Sequence, residues 1–210
     1  MKELDLLKEN WKKNENSFKQ VTNSEIYKMI HLKSSSIVKW IFIISLFEVL
    51  FWISLSVFID TDTYLKEVNR PDMIVYLRLF DILNYSVILV FIYLFYKNYT
   101  TISTTATTKA LMRSILKTRK IVQFYVGYNL IMLLLGSVFS IFILFTSNPE
   151  FANFNEKLAQ KPETILLTLV ILALVVIGLM AILWGIYRLI YGKLLRRLYA
   201  NYKELKKIEF

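Results

Sequence analysis

The sequence predicts an all-α, polytopic membrane protein: a four-transmembrane-helix bundle with amphipathic cytoplasmic helices at both ends. Hydrophobic residues make up 56% of the 210 residues, and the mean hydropathy is +0.47, which is high for a soluble domain of this length. Only 5 Gly and 3 Pro are present, so little of the chain suits loops. The apolar runs are continuous and about twice as long as the roughly 10-residue alternating strands of an outer-membrane barrel, which favours helices.

Four apolar segments each exceed the roughly 20 residues that a helix needs to cross about 30 Å of hydrocarbon. The predicted spans are residues 37–59, 74–96, 121–145 and 164–187. Together they form a transmembrane domain over 37–187, and no Pro interrupts any of them. We expect no cleavable signal peptide, because the first apolar run is too long for a signal h-region.

The number of basic residues alternates between high and low in successive segments that flank the spans. Basic residues number 8 before the first span with Lys39 included, then 2, 6 and 2 in the three connections, and 7 in the tail. This is the positive-inside pattern. It predicts a bacterial inner-membrane protein whose segment 1–36, loop 97–120 and tail 188–210 are cytoplasmic. Because topology explains the net charge of +10, we expect membrane lipid as a partner and not nucleic acid.

The N-terminal segment carries an apolar stripe at Leu4, Leu7, Trp11 and Phe18, with the threes-and-fours spacing of one helical face. A capping box, Thr22 to Glu25, is predicted to begin a second helix, which we expect to turn into the first span at 34–36. The stripe is predicted to dock a cytoplasmic protein. The alternative is that it rests on lipid or on the chain's own loops.

The other two cytoplasmic segments are also predicted to be helical. Residues 109–120 form a basic amphipathic helix, and anionic lipid headgroups explain its basic face without a further partner. In the tail, apolar residues recur at threes and fours: Tyr191, Leu194, Leu198, Tyr202 and Leu205. This stripe packs within the same chain or, alternatively, on a second copy in a homo-oligomer.

Five polar residues are predicted to lie inside the bilayer. Glu48 is at the middle of the first span, where insertion costs on the order of 3 kcal/mol. In the second span Arg78 and Asp81, three residues apart, can pair, and Asn84 lies at about the depth of Glu48. Asn129 is in the third span. One interpretation is interhelical hydrogen bonding that fixes the packing; the other is a polar pathway with Glu48 as a proton or cation carrier.

A stripe of small residues runs along the last span and into the tail. It consists of Gly178, Ala181, Gly185 and Gly192. Small residues at such spacing permit close approach of another helix, so the stripe is predicted to serve helix packing.

No constellation for catalysis or metal binding emerges from the sequence. The chain has no Cys and a single histidine, His31, which alone cannot build a metal site. Glycine-rich phosphate loops and a GxSxG motif are missing from the sequence. We therefore expect neither an enzyme nor a bound cofactor.

Several stretches resemble a group of small four-span proteins from flavobacteria and their relatives. They are residues 3–11, 25–30, 33–41, 96–99 and 115–120. The resemblance implies the four-span topology. Some members carry the label carotene oxygenase. Carotene oxygenases resemble β-propellers that hold iron with four histidines, whereas this chain has one histidine, so its sequence does not support the label. Other members are encoded beside extracytoplasmic-function sigma factors, and this resemblance implies an anti-sigma role. Residues 1–33 lack the His and Cys set of zinc-type anti-sigma domains.

Two functional hypotheses follow. The first is a regulatory or scaffolding membrane protein, anti-sigma-like by resemblance, that binds a cytoplasmic partner through residues 1–33. The second is a small transporter or ion-coupled subunit centred on Glu48. The two differ in which part of the chain carries the function.

Overall fold

The computed structural model describes residues 22–67, 70–105, 107–147 and 162–208. All elements in these ranges are helices: α1 Asn23–Phe58, α2 Thr61–Glu67, α3 Asp72–Thr104, α4 Thr108–Ser147 and α5 Pro162–Ile208. The predicted all-α class is confirmed over these residues. Four of the helices are long and apolar enough to cross a membrane, as predicted.

Each long helix contains one predicted span and continues past it at one shared end of the molecule. There α1 and α4 begin at Asn23 and Thr108, and α3 and α5 end at Thr104 and Ile208. We call this end the basic half, defined by the described residues within 22–36, 97–120 and 188–208. The described residues of the predicted spans and of the connection 60–73 form the apolar half.

The start of α1 follows the predicted capping box. The Glu25 backbone N–H donates to Thr22 Oγ1 over 3.3 Å, and the Thr22 backbone N–H donates to Glu25 Oε2 over 2.9 Å. Two orphan donors of the first turn are thus satisfied reciprocally. The hydrogen bonds from Thr22 lower the pKa of Glu25 below its usual value.

The predicted turn at residues 34–36 is wrong, because α1 runs without interruption from Asn23 to Phe58. Ser34 is fully buried, and its Oγ accepts a hydrogen bond of 3.0 Å from Asn201 Nδ2 on α5. A serine whose hydroxyl has a partner on another helix has less reason to compete for its own backbone and end the helix.

The four long helices form a ring in chain order. α3 packs between α1 and α4, and α5 closes the ring by packing against both α4 and α1. The short α2 connects α1 to α3 and contacts the start of α3, with Leu65 buried beneath it. This arrangement places residues of α1, α4 and α5 around a common interior.

The hydrophobic core is concentrated in the basic half and at its boundary with the apolar half. Its fully buried members contribute from all four long helices: Val38, Ile41, Phe95, Ile102, Leu111, Ile115, Val122, Tyr125, Leu198 and Leu205. Two side-chain contacts tie α1 to the end of α3: the Tyr27 hydroxyl donates to the Thr105 carbonyl over 3.2 Å, and His31 Nε2 donates to the Ile102 carbonyl over 2.7 Å. The basic half is thus packed as a soluble four-helix bundle is packed.

Beyond this boundary, the apolar half has little interior of its own. In the most apolar 18-residue window of each long helix, only 0 to 11% of the residues are buried. Along α5 no residue of the window is buried, with Leu174 exposed at 62% and Ile177 at 61%. A stretch of this hydropathy that the chain leaves uncovered is typical of a surface meant for lipid.

Candidate functional site

Glu48 lies on α1 just inside the apolar half, one turn beyond the buried Ser45. The hydroxyls of two α5 tyrosines donate to its carboxylate: Tyr187 to Oε1, and Tyr191 to Oε2 over 3.3 Å. Tyr125 of α4 and Trp52, one turn along α1, also interact with Glu48 as hydrogen-bond donors. The carboxylate is therefore held between three helices by aromatic donors.

The helical repeat explains how α5 presents two donors together. Tyr187 and Tyr191 are four residues apart, so they lie on one face of the helix, and only 6% and 2% of their surfaces are exposed. Their rings are 6.0 Å apart between centroids, and the Tyr125 ring stands edge-on to Tyr191 at 6.2 Å. This packing fixes the hydroxyls in place. We call Glu48, Trp52, Tyr125, Tyr187 and Tyr191 the carboxylate cluster.

A carboxylate has about four lone-pair sites for hydrogen bonds, and Tyr187 and Tyr191 donate to one carboxylate oxygen each. The ion pairs of the described chain join Arg70 to Asp72 and Arg78 to Asp62, so Glu48 has neutral donors instead of a cation. Such a site can bind and release one proton, because a tyrosine hydroxyl can donate to the carboxylate or accept from the protonated carboxyl. It can also clamp α1 to α5.

Two of the predicted intramembrane polar residues, Asn129 and Asn84, make different contacts. Asn129 donates from Nδ2 to the Tyr125 backbone carbonyl over 2.9 Å, and it also interacts with the Tyr125 side chain. Asn84 accepts a hydrogen bond of 3.0 Å from the Tyr128 hydroxyl. Asn129 thus supports the cluster through Tyr125, whereas Asn84 joins α3 to α4 at a separate contact.

The expected pairing of Arg78 with Asp81 is replaced by another. Arg78 Nη2 lies 2.5 Å from Asp62 Oδ2 on α2. Because α2 packs against the start of α3, it offers Arg78 a carboxylate that the sequence alone did not place there. Asp81 is exposed and lies on the same helix without Arg78 as its partner.

The predicted packing stripe is open in the described chain. A Cβ built on Gly178 or Gly185 meets no atom within 4 Å outside its own helix backbone, and one on Gly192 meets only Arg188 Cγ at 3.9 Å. α5 packs on its neighbours through the face that bears Tyr187 and Leu198. The stripe lies on another side of the helix, and its glycines make no close contact with another helix in the described part of the chain.

Sequence reasoning placed Tyr191 on the apolar stripe of the tail but did not identify the three tyrosines as partners of Glu48. The signal available was their spacing, because Tyr187 and Tyr191 fall on the inward stripe of α5. It also missed two buried polar pairs in the basic half, Asn201 with Ser34 and Asn98 with Thr118. A single Asn inside an apolar stripe, as at position 201, is the pattern that could have revealed the first pair.

A family model matches the part of the chain that contains the carboxylate cluster. The model for a domain of unknown function, DUF8845, matches residues 24–210. The chain belongs to the DUF8845 family. No curated protein and no solved structure matches it.

The DUF8845 match covers all four long helices and the whole carboxylate cluster. The predicted docking residues Leu4, Leu7, Trp11 and Phe18 precede it and lie outside the residues that the structure describes. Within the described ranges, no group of three or more His, Asp or Glu side chains is placed to hold a metal ion.

Proposed function

We propose that this DUF8845 protein is a non-enzymatic, multi-pass protein of the bacterial inner membrane that regulates a cytoplasmic protein by binding it. The apolar half crosses the bilayer four times, and both termini are cytoplasmic. The observation that carries the proposal is the division of the bundle. Its basic half and the adjoining ends of the spans share a hydrophobic core, and the basic half has a charged exterior, as a folded body in water requires; the rest of the apolar half is largely uncovered.

The binding element is the N-terminal segment that leads into α1. Its stripe of Leu4, Leu7 and Trp11 is apolar on one side, and a helix with such a face suits a groove on a partner. The bundle limits where this element ends, because Ile30 and Ser34 already belong to the core of the basic half. The deletion in the test below therefore removes residues 1–21 and leaves α1 intact. By resemblance, the partner class is a sigma factor.

The experiment compares partner capture by four forms of the full-length protein in mild detergent. The forms are the natural chain, a chain lacking residues 1–21, the double variant Leu7→Ala/Trp11→Ala, and the matched control Glu9→Ala/Lys13→Ala on the opposite helical face. We expect the natural chain and the control to capture the same cytoplasmic protein, and the other two to lose it. Equal capture by all four forms would contradict the docking role.

A second function is favoured by the carboxylate cluster. Glu48 lies where the packed core gives way to the uncovered helices, and the residue is partly buried. An ionisable residue placed inside the membrane is a functional candidate by default. In this alternative the protein moves or senses a proton or small cation at Glu48.

Proteoliposomes test the alternative directly. We would measure proton or cation flux for the natural protein and for Glu48→Gln, with Asp81→Asn as the control carboxyl outside the cluster. Flux that Glu48→Gln abolishes and Asp81→Asn retains would support a carrier role. The same flux in the natural protein, in Glu48→Gln and in empty vesicles would exclude it.

A further inference from the structure

The side of α5 that faces away from the bundle carries a basic groove where the apolar half meets the basic half. Its volume is about 650 Å³. Seven residues line it: Trp184, Gly185, Arg188, Leu189, Lys193, Arg196 and Arg197. Four of them are cations, and the lining contains no carboxylate.

The cations of the groove are not neutralised by the rest of the described chain. The ion pairs of that part of the chain join Arg70 to Asp72 and Arg78 to Asp62, at the opposite end of the bundle. The Arg188 guanidinium carbon lies 4.8 Å from the centre of the Trp184 ring. Four uncompensated positive charges in one groove favour an anionic occupant.

The position of the groove indicates which kind of anion it suits. Part of its wall is apolar, with Trp184 49% exposed and Leu189 75% exposed. Trp is the side chain typical of the boundary between hydrocarbon and headgroups, and Arg188 is the first basic residue after the last predicted span. The floor at Gly185 has no side chain and no neighbouring helix within 4 Å. An occupant therefore meets hydrocarbon-compatible surface on one side and cations on the other.

We infer that this groove is a binding site for an anionic phospholipid of the cytoplasmic leaflet. The phosphate groups of the headgroup lie among Arg188, Lys193, Arg196 and Arg197, and an acyl chain lies against Trp184 and Leu189. Guanidinium groups suit phosphate because they offer paired N–H donors in a fixed fork. The site differs from the predicted basic face of residues 109–120, since it lies on another helix. It rests on the membrane placement proposed above.

Trp184 provides a local reporter for the test. We would keep it as the only tryptophan by the changes Trp11→Phe, Trp40→Phe and Trp52→Phe, in the full chain reconstituted into nanodiscs. Brominated phosphatidylglycerol or brominated phosphatidylcholine, mixed into an unbrominated phosphatidylcholine bilayer, quenches the fluorescence of a tryptophan that it touches. A second reporter keeps only Trp40, which is 55% exposed on α1 and lies outside the groove.

We expect phosphatidylglycerol to quench Trp184 with at least a several-fold preference over phosphatidylcholine, and to show little preference at Trp40. The variant Arg188→Gln/Lys193→Gln/Arg196→Gln/Arg197→Gln should lose the preference at Trp184. A control that removes the same charge near the far end of the basic half, Lys109→Gln/Lys203→Gln/Lys206→Gln/Lys207→Gln, should keep it.

Three outcomes would overturn the inference. Equal quenching of Trp184 by the two lipids would exclude a headgroup site. Equal loss in both charge variants would assign the preference to net charge alone. Displacement of the lipid by inorganic phosphate at millimolar concentration would assign the groove to a soluble anion. A failure of the membrane placement is distinguishable, because the protein would then be missing from the nanodisc fraction.

Discussion

The basic and apolar halves of the same four helices differ in how they place their apolar side chains. In the basic half, residues such as Leu198 and Leu205 are 1% and 0% exposed and face a shared core. In the apolar half, Leu174 on the same helix is 62% exposed and faces away from the chain. Water drives apolar side chains together, whereas lipid tails are as apolar as leucine and provide no such drive between helices. The proposed placement of the basic half in water and of the apolar half in lipid accounts for this difference.

The largest expected effect compares one leucine from each half of α5. Leu205→Ala removes a fully buried side chain and should lower the free energy of unfolding by about 2–5 kcal/mol. Leu174→Ala removes an exposed one and should change it by less than about 0.5 kcal/mol. SDS titration of the protein in mixed micelles, followed by circular dichroism, measures both. Equal losses would mean that the apolar half is packed after all.

A smaller effect is expected for the buried polar pair of the basic half. Asn201→Ala leaves the buried Ser34 hydroxyl without its donor, which should cost about 1–3 kcal/mol. Adding Ser34→Ala removes the unpaired group, so the double variant should lose less than the sum of the two single variants. Strict additivity in the same titration would indicate that the pair makes no hydrogen bond worth measuring.

The carboxylate cluster should contribute less, because hydrogen bonds between membrane helices average about 0.6 kcal/mol with a maximum near 1.7. We expect Glu48→Gln to cost about 1 kcal/mol and Tyr187→Phe somewhat less, since it removes one donor of several. A double-mutant cycle between the two positions should show coupling. Val49→Ala, beside Glu48 but outside the cluster, is the control and should show no coupling to Tyr187→Phe.

The smallest expected effect is a pH dependence at the start of α1. The pKa of Glu25 is lower in the fold than its usual value because Thr22 donates to it. Its stabilising contribution is therefore complete above the unfolded pKa and is lost as pH falls through the lower folded pKa. Hydrogen exchange at the first turn of α1 should quicken over that acidic window. Thr22→Ala should raise the pKa of Glu25 and leave exchange less dependent on pH.

Long hydropathy runs and charge counts were enough to predict four spans, because a bilayer imposes a length and a loop-charge rule on any sequence. The capping box at Thr22 was equally readable, since its partners lie three residues apart. The continuous course of α1 through Ser34 was not, because it depends on Asn201, which is distant in sequence. Local signals at residues 34–36 favoured a turn that a tertiary contact overrides.

The candidate site was predictable in part for the same reason. Glu48 stood out because a carboxyl in a span has few ordinary explanations. Its partners did not, since tyrosines are common in this chain, which has 13, and only the packing of α5 against α1 selects Tyr187 and Tyr191. Arg78 likewise forms an ion pair with Asp62 on α2, because the fold brings that short helix beside α3. Spacing along one helix cannot show which neighbouring helix lies nearest.

The account as a whole depends on the two halves lying in membrane and in cytoplasm, and cysteine labelling tests this most directly. The natural chain has no Cys, so single variants report cleanly. We would introduce Thr61→Cys on α2 and Ser103→Cys at the end of α3, both exposed, and treat spheroplasts with a membrane-impermeant maleimide. The account predicts labelling of Thr61→Cys in intact spheroplasts and of Ser103→Cys only after permeabilisation. The reverse pattern, or equal labelling of both in intact spheroplasts, would contradict it.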